Sequence, residues 1–99
     1  MTQISTINPA TDAKIADYDV MTRDAAFAKV QSCHDAFTEW RQKNHAERAP
    51  YLTAIAEKLR ENSDALAEMM TKEMGKLLRD GKTEVELCAR IFEYTAENG

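Results

Sequence analysis

Glu73-Met74-Gly75-Lys76 closes one apolar helical pattern and stands before the next, and the reading of the chain turns on these four residues. Gly75 falls where a helix ending near Met74 needs a residue of positive φ, which glycine adopts without a Cβ clash. Glu73 is harder to place. A carboxylate in the last helical turn faces the negative end of the helix dipole and a set of unpaired carbonyl oxygens, so it requires a nearby cation or open water.

Working back from that stop, a helix from Asp64 to Met74 carries Leu66, Met69 and Met70 on its inner face, with Ala67 beside them and the methionines filling gaps in a core. Arg60-Glu61-Asn62-Ser63 supplies a break and a fresh cap between it and an earlier helix striped by Leu52, Ile55, Ala56 and Leu59. That earlier helix begins near Asn44, which has Glu47 three residues on, and Pro50 implies a later start or a bend. Before it, Thr22 caps a helix running to about Arg41, whose stripe of Phe27, Val30, Cys33, Phe37 and Trp40 reads as core. The first twenty residues have strand character in Ile4 to Ile7 and in Lys14 to Val20, with Ala16, Tyr18 and Val20 alternating against Asp17 and Asp19. Asn8-Pro9-Ala10-Thr11-Asp12 supplies the turn, so a hairpin is expected, lying on something else because two strands do not stand alone in water.

Forward of the stop, a long helix from about Leu78 to Asn98 has two apolar stripes. One is Val85, Cys88, Phe92 and Ala96; the other is Leu87, Ile91 and Tyr94. Such a helix wants cover on two sides, and the rest of the chain offers enough for one. Gly81 within its first turns implies that another backbone passes close there. The expected fold is therefore mainly α, an N-terminal β-hairpin followed by about four helices, with residues 1–99 forming one segment without an internal boundary.

A chain of 99 residues with a net charge of -4 and interleaved acids and bases has a thin core and no electrostatic footprint for nucleic acid or an anionic membrane. The start, Met1-Thr2-Gln3-Ile4, has no basic and apolar leader, and no run suits a membrane span, so a cytoplasmic location is expected. Cys33 and Cys88 fit no metal or redox spacing and read as two buried thiols. The three glycines are scattered, so no phosphate-cradling loop is present. A nucleophile with its base is also missing. Cys33 and His34 are adjacent and diverge by about 100° on a helix, His45 reads as solvated, and Glu84 and Glu86 lie on different faces of a solvated helix surface.

Asn8-Pro9-Ala10-Thr11 with Ile15-Ala16, Ala36-Phe37-Thr38-Glu39-Trp40-Arg41, Glu47-Arg48-Ala49 with Leu52, and Glu73-Met74-Gly75-Lys76 form an ordered set. In order and spacing this set resembles the beginning of an aldehyde dehydrogenase, nearest to the bacterial NAD(P)-dependent succinate-semialdehyde dehydrogenase branch. The resemblance covers essentially the whole chain. It implies the N-terminal part of an α/β enzyme's cofactor-binding domain, in a homo-oligomer using NAD or NADP. That family oxidises an aldehyde through a cysteine thiohemiacetal, passes hydride to the nicotinamide and hydrolyses the thioester with a glutamate base. Its nucleophile, base, oxyanion asparagine and cofactor loop all come after the region matched here, and neither Cys33 nor Cys88 matches the nucleophile's motif. The resemblance thus implies no catalytic or cofactor-binding residue and no activity in these residues alone; their partner is the rest of such a chain.

The resemblance carries over two sites. A monovalent cation lies between the family's first strand and the end of its third helix, and the matching positions are Thr6, Ile7 and Glu73. An ion pair of Glu73 with Lys76 or Arg79 is the open alternative. The long helix matches one that borders the aldehyde entrance, with Leu87 and Ile91 as the matching positions; plain core packing is the alternative for both. Three positions depart from the family. Asp12 stands where glycine is usual, Pro50 is unusual in its helix, and Leu77 stands where proline is common. A rival reading takes the chain as a short helical interaction or oligomerisation module, docking through Leu87, Ile91 and Tyr94.

Overall fold

The computed structural model describes residues 2–99. Two strands, β1 (Gln3–Ile7) and β2 (Lys14–Asp19), precede four helices, α1 (Arg23–Trp40), α2 (His45–Glu61), α3 (Ser63–Met74) and α4 (Leu78–Asn98). The hairpin is antiparallel, pairing Gln3 with Asp19 and Thr6 with Ala16, and its register slips between Thr6 and Ile7. Asn8 organises the turn, accepting the Ala10 N–H on its side chain at 2.9 Å and the Asp12 N–H on its carbonyl at 2.8 Å. Asp12 closes the turn at φ 59°, in the left-handed region. A side-chain-bearing residue is disfavoured there, and this is the position at which the family resemblance led us to expect glycine.

The helices start and stop largely where their capping residues dictate. Thr22 Oγ1 accepts the Ala25 N–H at 3.2 Å, and Asn44 Oδ1 accepts the Glu47 N–H at 2.9 Å. Pro50 neither delays nor ends α2, which starts at His45 and continues through it. Asn62 stands at the N-cap of α3 but makes no side-chain cap bond there. It turns back instead, donating to the Lys58 carbonyl at 2.8 Å, while its own carbonyl accepts the Leu66 N–H at 2.9 Å. Gly75 ends α3 at φ 75°.

The core is a seam where α4 crosses α2 and α3, built from Ala56, Ala67, Val85, Ala89 and Ala96. Small side chains let these helices approach closely. At the α3–α4 crossing a Cβ on Gly81 would lie 3.2 Å from Ala67 Cα and Cβ, the close approach that the mid-helix glycine implied.

Several faces expected as core are open. Among the described residues α1 has no buried position, and Phe27, Val30, Cys33, Phe37 and Trp40 all face outward. Its far end meets the rest of the fold through Trp40, whose ring stands edge-on to Tyr51 at 5.1 Å between centroids. Ile55, Met69 and Cys88 are likewise exposed, and Ala89 takes the buried place expected of Cys88. On β2 only Ile15 and Ala16 are half-buried, and Tyr18 and Val20 beyond them are open. The reason is common to all: periodicity reports that a face is apolar, not that this stretch of chain covers it. The outline agrees. Extents of 48 × 38 × 16 Å and a radius of gyration of 17.6 Å describe a flat slab, where a compact domain of this length would have about 13 Å.

Candidate functional site

The end of α3 and the hairpin beneath it form the candidate site. The Gly75 N–H bonds the Thr71 carbonyl at 3.0 Å, closing the last turn on which Glu73 sits half-buried. A Cβ on Gly75 would lie 3.6 Å from Pro9 Cγ, so the turn of the hairpin abuts the helix end. β1 packs against α3. Thr6 lies on β1 with its Oγ1 buried and without a hydrogen-bond partner. The register slip beside it interrupts the ladder at Ile7, which is itself exposed. A bulge of this kind leaves backbone groups outside regular pairing.

The alternative ion pair of Glu73 with Lys76 or Arg79 does not form. Lys76 pairs with Glu84, which pushes the Lys76 pKa up, and Arg79 lies 3.7 Å from Asp80. Among the described residues Glu73 has no ion-pair partner. This end of α3 and the strand packed against it thus carry a buried hydroxyl at Thr6, an irregular stretch of backbone at Ile7 and a half-buried carboxylate at Glu73. No three of His, Cys, Asp or Glu converge to hold a metal ion anywhere among the described residues, this corner included.

Leu87 and Ile91 lie one turn apart on the outer side of α4, each 55% exposed, and Tyr94 continues the same open stripe. They are not part of the internal core. The shallow depression at the start of α4 runs from Lys76 past Asp80, Thr83 and Glu84 to Leu87.

Both cysteines are free and exposed, which corrects the expectation of buried thiols. His45 is exposed, as its polar setting suggested, and His34 is exposed too. Glu84 and Glu86 are more than solvated surface, since each meets a cation from outside α4. Arg60, near the end of α2, donates from Nε and Nη2 to Glu86 at 3.1 Å each, and from Nη2 to Glu93 at 3.1 Å, with Nη1 on the other Glu93 oxygen. The guanidinium holds both carboxyls below their ordinary pKa, and they in turn raise that of Arg60. This clamp was missed in the sequence, although Glu86 and Glu93 are two helical turns apart and so share a face.

The sequence profile of the Aldehyde dehydrogenase family matches residues 1–99. The NADP(+) succinate-semialdehyde dehydrogenase 1 of Mycobacterium tuberculosis is 41% identical over 95 residues, covering 96% of this chain and 21% of that enzyme. The NADP(+) enzyme of the same name from Deinococcus radiodurans is 37% identical, covering 96% and 20%. Among solved structures, succinic semialdehyde dehydrogenase from Streptococcus pyogenes in complex with NADP+ superposes with a TM-score of 0.86 at 37% identity, over 94% of this chain and 21% of that one. A betaine aldehyde dehydrogenase point mutant from Staphylococcus aureus with NAD+ gives 0.90 at 26% identity, over 97% and 20%. The chain spans about a fifth of the length of the curated relatives it matches.

Proposed function

This chain belongs to the aldehyde dehydrogenase family, and from that membership we propose that it is the N-terminal part of an enzyme oxidising succinate semialdehyde to the dicarboxylate, with NADP+ as hydride acceptor. The observation that carries the reading is the near-complete match of the chain to relatives named for that activity. The nicotinamide accepts the hydride; the residues described here supply no nucleophile, base or cofactor contact. Their share is positional. They form one segment of the cofactor-binding domain, offer a cation site and contribute one wall of the aldehyde entrance, in a cytoplasmic homo-oligomer.

In the cation site, Thr6 and Ile7 on β1 and Glu73 on α3 would hold a monovalent ion. Support comes from the orphaned, buried Thr6 hydroxyl and from Glu73, whose two alternative partners, Lys76 and Arg79, are engaged elsewhere. An ion bound there would neutralise a carboxylate that otherwise faces the α3 dipole. For the entrance, the support is the open stripe of Leu87 and Ile91 on α4.

The reading is tested on protein purified from its natural source. We expect an intact polypeptide several times heavier than 11.2 kDa and NADPH formation that depends on succinate semialdehyde. A polypeptide of these 99 residues should form none, and turnover by it would overturn the division of labour proposed here. A second reading, a short helical interaction or oligomerisation module, is favoured by the exposure of Leu87, Ile91 and Tyr94. An intact mass of 11.2 kDa with defined self-association would select that reading instead.

A further inference from the structure

We draw no further inference here: the strongest candidate, the apolar groove along α2 and α3 lined by Tyr51, Ile55, Leu59 and Leu66, is an unpartnered face, and nothing in the structure shows what covers it.

Discussion

Asp12 and Glu73 are the two residues at which local chemistry sits least comfortably. Asp12 holds φ 59° with a Cβ in place, a conformation tolerated because an aspartate side chain can bond locally. Replacing it by valine, which has no such bond to offer, should cost about 1–2 kcal/mol, while Asp12→Gly should be neutral or stabilising; thermal melts of the two variants decide this. If both melt alike, the turn carries no strain. Glu73 makes a prediction about ions. Substituting potassium for a large organic cation should raise the melting temperature of the wild type and leave Glu73→Gln unmoved, and an equal response in both would remove Glu73 from the proposed cation site. Gly75 was legible in the sequence because its requirement is local, a positive φ at a helix end. The orphaned Thr6 hydroxyl was not, because it depends on how β1 docks against α3, and side-chain type at one position carries no record of that docking.

The helices were legible in kind and nearly in extent, since capping residues and apolar periods are written along the chain. What they touch was less so. The α3–α4 crossing is the exception, because a glycine inside a helix costs about 1 kcal/mol relative to alanine and therefore points to a close neighbour. Gly81→Val should force the helices apart at Ala67 and destabilise the protein by about 1–3 kcal/mol, read as a shift in the denaturation midpoint. An unchanged midpoint would mean that the contact is looser than the geometry indicates. The Arg60 clamp makes a separate, pH-dependent prediction. Glu86 and Glu93 have folded pKa values lowered by Arg60, so their contribution is present above the unfolded carboxylate pKa of about 4.3 and is lost as pH falls through the lower folded values. Arg60→Ala should therefore lower the melting temperature by a few degrees at neutral pH, roughly the effect of a modest stability change in a small domain, and the deficit should shrink as the pH falls below the unfolded carboxylate value and through the lowered folded values, where the carboxyls take up protons. A deficit constant across that range would assign the loss to packing of the arginine stem rather than to charge.

At the level of the whole molecule the shape departs from a self-sufficient domain. A slab 16 Å through by its Cα atoms is only about two packed helices deep, with α1 presenting its aromatic stripe outward and α4 uncovered along Leu87, Ile91 and Tyr94. The shortage of cover for α4 was foreseeable from the width of its apolar face. That of α1 was not, because its single narrow stripe reads the same whether its partner lies within this stretch or beyond it. An isolated polypeptide of these 99 residues should accordingly bind an apolar dye and sediment as a concentration-dependent mixture. A sharp monomer with a cooperative melt would show that the open faces are tolerated in water. The joint at Asn62 has a different implication, one for sequence drift over generations. Because this one residue both terminates α2 and launches α3, the two helices are locked in phase. A single inserted residue would swing α3 by about 100°, taking Ala67 away from Gly81. Natural variants should therefore gain and lose length at Gln42–Asn44, where a polar connection can absorb it, and keep a constant count across the α2–α3 joint.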